Sequence, residues 1–194
     1  MKSDITKQDL LLLMLYLNDS KPITGMFKIQ KMMFLLTEEI VPAIISENPD
    51  EQPLFKDLYD FVSFPFGPFS EKLSEDIQFF NFIHFINKHE SQLGIDFNSV
   101  DDWEQDEYIH ILSEDDYIYH FGLCRKTNSN GYVFQLTETG IQYVKDNIID
   151  NFSSHSIEKL TALRQKTDSL SHYSILKYIA TNYTKMIDKS SFSI

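Results

Sequence analysis

The stretch Phe64-Pro65-Phe66-Gly67-Pro68-Phe69-Ser70-Glu71-Lys72-Leu73-Ser74-Glu75-Asp76-Ile77-Gln78-Phe79-Phe80 joins an extended aromatic run to an amphipathic helix through a Gly-Pro hinge. Gly67 tolerates the sharp turn, and Pro68 presets φ for a first helical position. Behind the hinge Leu73, Ile77 and Phe80 recur at helical spacing. That pattern predicts a third helix from Pro68 to about His89 with those residues facing a core.

Two helices precede it. Thr6-Lys7-Gln8-Asp9 has the form that caps a helix start, and Leu10 to Leu17 follows as a strongly apolar segment ending near Asn18-Asp19. Lys21-Pro22-Ile23-Thr24-Gly25 reads as a turn. Met26 to about Ile40 reads as the second helix, buried along Ile29, Met32, Met33 and Leu36, with Lys28 and Lys31 pointing outward. Pro42 and Ser46 to Pro53 read as a polar loop, and Phe55 to Phe66 as irregular.

Downstream, Tyr117 to Arg125 and Tyr132 to Leu136 read as two strands of a hairpin. The turn between them, Lys126 to Gly131, carries an Asn-Gly signal. Thr137 is an N-cap candidate for a helix to about Ile149, followed by helices over Ser156–Ser169 and His172–Tyr183. The order predicts a mainly α protein with a small antiparallel β-hairpin wing, a winged helix-turn-helix with extra C-terminal helices. Residues 1–150 would form the winged-helix domain, with an acidic insertion at about 90–116. Residues 151–194 would form a helical extension packed on it.

The chain has 194 residues, a net charge of -12 and a single cysteine, Cys124, which excludes an intramolecular disulfide. No signal peptide is evident at the N-terminus and no apolar run reaches transmembrane length, so a cytoplasmic protein is expected. The negative charge argues against non-specific nucleic-acid binding, which needs Lys and Arg to neutralise phosphates. The charge is uneven. Glu90 to His120 contains many acids and no Lys or Arg, whereas from Asn151 onward Lys159, Arg164, Lys166, Lys177, Lys185 and Lys189 outnumber the acids.

Candidate DNA contacts are Lys28 and Lys31 of the second helix, Lys72 of the third, and Arg125, Lys126, Asn128 and Asn130 at the wing tip. The third helix is the usual major-groove reader of such a fold. Here it begins with Glu71, Glu75 and Asp76 against one lysine, which is poor chemistry for phosphates. Trp103, flanked by Asp101, Asp102 and Glu104, is a candidate anchor for a basic partner. The acidic loop has no glycine at the bend a calcium loop needs. No zinc pattern, phosphate-binding glycine loop or nucleophile elbow is present. No catalytic residue, metal or cofactor is therefore expected.

The chain resembles the YwgA-like winged-helix family of bacterial and archaeal proteins. The resemblance rests on Leu11 to Leu17, Gly25 with Lys28-Ile29-Gln30-Lys31-Met32-Met33-Phe34-Leu35-Leu36, Phe64 to Phe80, Leu136 to Gly140, and Leu176 to Tyr183 with Lys189-Ser190. It departs from that pattern in the acidic insertion between third helix and wing. More distantly, Lys28-Ile29-Gln30-Lys31 and Gly67-Pro68 look like the Panacea domain of SocA-like antitoxins. The first resemblance implies a regulatory winged-helix module, and the second a protein that binds a toxin. Two functions stay open on these grounds. One is a DNA-associated winged-helix regulator, expected to be a homodimer. The other is a protein-interaction module such as an antitoxin, an adaptor or a component of phage defence or a mobile element.

Overall fold

A computed structural model describes residues 5–64, 66–92 and 130–187. Among them α1 (Lys7–Tyr16), β1 (Ile23–Thr24) and α2 (Met26–Leu35) come first. A π-helical turn (Leu36–Ile40) leads into α3 (Val41–Glu47), a 3₁₀ segment (Pro49–Phe55) and α4 (Glu71–Phe82). The strands β2 (Ile86–Gln92) and β3 (Asn130–Leu136) follow, then α5 (Glu138–Asn147), α6 (Ser154–Ser169) and α7 (His172–Asn182). The protein is mainly helical, with a three-stranded antiparallel sheet in the order β1-β3-β2.

Helix α1 is the centre of the core. Leu10, Leu11, Leu12, Leu13, Met14 and Leu15 are all buried, so it is apolar all round and needs cover on every side. Helices α5 and α6 pack on it, and α6 and α7 pack on α2. Its start is the expected capping box: Thr6 Oγ1 accepts from Asp9 N–H and the Asp9 carboxylate accepts from Thr6 N–H. After its end Asn18, Asp19 and Ser20 all have φ between 53° and 60°. Such left-handed residues cost roughly 1–2 kcal/mol each. Buried Arg164 of α6 holds the loop, donating to Met14 O at 3.0 Å and Lys21 O at 2.6 Å while paired to Asp168.

The second helical region runs on past its expected end. Val41 N–H bonds to Leu36 O, five residues back, in the π-helical turn. Pro42 then falls in the first turn of α3, where a missing N–H is cheap, so the chain stays helical to Glu47 instead of opening into a loop.

The third helix corrects another expectation. It starts at Glu71, with Ser70 rather than Pro68 as the boundary residue, and ends at Phe82 rather than near His89. Leu73, Ile77 and Phe80 are buried as its spacing requires. The stop is a Schellman motif: His84 takes a φ of 61°, and Phe85 N–H donates to Phe80 O at 2.8 Å. The Phe80 and Phe85 rings stack at 6.0 Å, the apolar contact that accompanies this motif. Asn81 Oδ1 accepts from Lys88 N–H and clips the reversed chain to the helix.

The reversal makes Ile86–Gln92 the hairpin partner of Asn130–Leu136, in a register from Ile86 opposite Leu136 to Gln92 opposite Asn130. The expected partner, Tyr117–Arg125, lies outside the described residues. A strand has two edges, and β3 gives one to β2 along its length and the other to β1 at Val133 and Phe134. Asn130 and Gly131 are therefore strand residues, not the turn their Asn-Gly pairing suggests. Residues 93–129 join β2 to β3, so the acidic stretch lies within the hairpin instead of ahead of it.

Helix α5 docks on this corner. Thr137 caps it by accepting from Gly140 N–H and donates its hydroxyl proton to His84 O at 2.7 Å. A Cβ on Gly140 would stand 2.3 Å from Phe85 O, so only glycine allows the approach. Two substitutions test the corner by urea unfolding. His84→Gly should stabilise by about 0.5–1 kcal/mol, because glycine adopts the left-handed conformation without a Cβ penalty. Gly140→Ala should destabilise by more than 1 kcal/mol, since backbone must move to admit one methyl.

Candidate functional site

The hinge before α4 is built by α2. Gly67 has a φ of 83°, and the turn leaves the backbone groups of Pro68 and Ser70 inside the protein. Fully buried Gln30 answers Ser70 twice: Nε2 donates to Ser70 O at 2.8 Å and Oε1 accepts from Ser70 N–H at 2.9 Å. Nε2 also lies 3.0 Å from Ser74 Oγ. Fully buried Lys31 donates from Nζ to Pro68 O at 2.8 Å and stands 4.7 Å from the Phe27 ring centroid. No carboxylate is within bonding distance of Lys31 Nζ among the described residues. Burial without a counter-charge pulls the ammonium down from 10.5 to about 7.

These facts overturn the outward placement of Lys28 and Lys31. Phe27 and Phe34 flank Gln30 and Lys31 at helical spacing, so all four share a face, and that face is interior. Lys28 is partly covered and reaches Asp168 O at 3.3 Å, its pKa lowered by burial and by the Arg164 charge. Neither lysine is presented to a phosphate backbone. Lys72 is exposed but tied to its own helix, 2.9 Å from Asp76 and 3.3 Å from Glu75, which raise its pKa. Arg125, Lys126, Asn128, Trp103, Asp101, Asp102 and Glu104 lie outside the described residues, as does any contact made by them; of Asn130 only the strand position is described.

The outer face of α4 thus presents Glu71, Lys72, Glu75, Gln78, Phe79 and Phe82. Phe79 is 52% exposed and Phe82 80% exposed. Two phenylalanines one helical turn apart, on the side opposite Leu73 and Ile77, form an apolar patch beside two carboxylates. Asp76, on the inner side of the same helix, accepts from Tyr59 Oη at 2.9 Å and Gln8 Nε2 at 3.0 Å, and is structural. Reading α4 as a groove reader drew attention to its first turn; the signal for Phe79 and Phe82 is their phase relative to the buried stripe.

A second feature is a groove between the π-helical turn, α6 and α7. Glu39, carried by that turn, accepts from Tyr178 Oη at 2.8 Å and Tyr183 Oη at 3.0 Å; the hydrogen bond raises the pKa of Tyr178, and burial followed by the same carboxylate raises that of Tyr183. Among the described residues no group of three or more His, Cys, Asp or Glu is placed to hold a metal ion, and no helix is long and apolar enough to cross a membrane.

Two measurements probe the hinge. Gln30→Ala should cost about 1–3 kcal/mol, because it leaves the buried Ser70 N–H without its acceptor and takes one donor from Ser70 O. Lys31 sets a pH dependence. Between about 7 and 10.5 the unfolded chain holds a proton that the native lysine has lost. The Lys31 contribution to stability therefore rises with pH across that window, by roughly 1.4 kcal/mol per unit, and is flat below it. Lys31→Met should remove that rise when melting is followed from pH 7 to about 9.

Compared with protein-family models, curated proteins and solved structures, the chain matches none, so its own geometry carries the functional argument.

Proposed function

We propose that this protein is a winged-helix module that binds a basic protein partner through the outer face of α4. The observation that carries the reading is the composition of that face: Phe79 and Phe82 exposed beside Glu71 and Glu75, with the one lysine already held by its own acids. Apolar rings with a carboxylate rim suit a protein surface that offers a hydrophobic recess among Lys and Arg. The same face would repel a phosphate backbone, as would the net charge of -12.

The winged-helix part of the reading is supported by the order α1, β1, α2 running on through the π-helical turn into α3, then α4, β2 and β3, with the first strand beside the last. In that arrangement α4 takes the place of the recognition helix and β2–β3 that of the wing. An interaction role also accords with the resemblance to SocA-like antitoxins. The second reading, DNA contact through the wing tip at Arg125 and Lys126, draws on their charge alone.

Comparative capture from the source cells tests the proposal. The wild-type chain should retain a basic protein that the double variant Phe79→Ser, Phe82→Ser loses while melting at the same temperature. Glu71→Lys with Glu75→Lys should weaken the same contact, more so at low salt. Undiminished capture by both variants would sink the proposal. So would tight binding of duplex DNA at low salt that is abolished by Arg125→Ala with Lys126→Ala.

A further inference from the structure

The groove beside the π-helical turn has the makings of a small-molecule site. Leu35, Leu163 and Ile175 supply buried apolar lining, and the cavity volume is about 210 Å³. That lies below the roughly 300–1,000 Å³ of sites for drug-sized ligands. It exceeds the roughly 150 Å³ of a cavity that takes up benzene. One ring or branched chain with a few further atoms is the size that fits.

Charge narrows the class. Of the two lysines on the lining, Lys159 is paired with Glu47 at 2.9 Å. Lys166 has no carboxylate partner among the described residues, and its Nζ stands 5.0 Å from the Tyr178 ring centroid. Glu39 also lines the groove; its Oε1 takes both tyrosine hydroxyls, and Oε2 takes no hydrogen bond among the described residues. Tyr178 therefore touches one uncommitted cation and one half-committed anion beside an apolar floor. π-Helical turns are rare and recur at functional sites, and this one is what carries Glu39 to the groove.

We infer that the groove binds a small zwitterion with an apolar side chain, an amino acid of the leucine or phenylalanine type. Its ammonium meets Glu39, its carboxylate meets Lys166, and its side chain rests on Leu163 and Ile175. The site lies on the end of α2, the π-helical turn, α3, α6 and α7, with no residue on the outer face of α4, so it stands or falls independently of partner binding.

Calorimetric titration of the full chain with L-phenylalanine, 3-phenylpropanoate and phenylethylamine tests this. The two analogues each lack one charge. L-Phenylalanine should bind at least about tenfold more tightly than either, the worth of one charge-assisted hydrogen bond. Lys166→Met, at an exposed position, should leave phenylethylamine binding unchanged and bring L-phenylalanine down to its level. Glu39→Gln keeps an acceptor for the tyrosines and should bring L-phenylalanine down to the level of 3-phenylpropanoate. Equal binding of all three ligands, no heat with any of them, or selectivity that survives both substitutions would overturn the inference.

Discussion

The pairing of Gln30 with both backbone groups of Ser70 is the contact on which the arrangement rests. The turn through a positive φ at Gly67 satisfies Gly67 N–H on Phe64 O and pairs Phe69 with Val62, but the buried Pro68 O and Ser70 N–H find their partners on α2. One amide side chain from α2 supplies a donor and an acceptor, and Lys31 supplies a second donor to Pro68 O. With the bond from Gln30 Nε2 to Ser74 Oγ, the start of α4 is thereby tied to α2 by four hydrogen bonds. The direction of α4 and the faces it buries and exposes follow from that tie.

The same economy explains the surface. Three cations near α2 are turned inward as hydrogen-bond donors: Lys31 to the hinge, Lys28 to the end of α6, Arg164 to the loop after α1. A buried cation that donates to backbone carbonyls gives order to a turn, and it is lost to the outside as an attractor of anions. Carboxylates and exposed aromatic rings are left to define the face of α4.

Periodic features were readable directly. The stripes Leu73-Ile77-Phe80 and Ile29-Met32-Met33-Leu36, the Thr6 and Thr137 caps and the positions of α6 and α7 all follow from spacing and cap chemistry, and all are seen. Lys28 and Lys31 are misplaced by a reading that takes charged side chains as solvated, whereas here Phe27 lies against Lys31 and the end of α6 partly covers Lys28. The end of α4 was misplaced because His84 does the work that sequence patterns assign to glycine, and the residues beyond it look helical enough to continue. The pairing of β2 with β3 was not legible for a related reason: a local Asn-Gly signal outweighed a partner many residues upstream, while Tyr117–Arg125 lies outside the described residues. Of the candidate site, the carboxylates of α4 were legible from composition. Phe79 and Phe82 gained meaning once the helix phase showed which rings the core had not taken, and Glu39 depends on a π-helical turn that carries no spacing signature.

The register of β2 and β3 carries one more implication. Gln92 and Asn130 sit opposite each other, so β2 ends and β3 begins at neighbouring positions one strand spacing apart. The entropy of closing a connection between two such ends grows only as the logarithm of its length, about 0.6 kcal/mol for each doubling. A strand pair that holds two chain ends this close sets a geometric rule for any segment exchanged between them: its own ends must meet about one strand spacing apart.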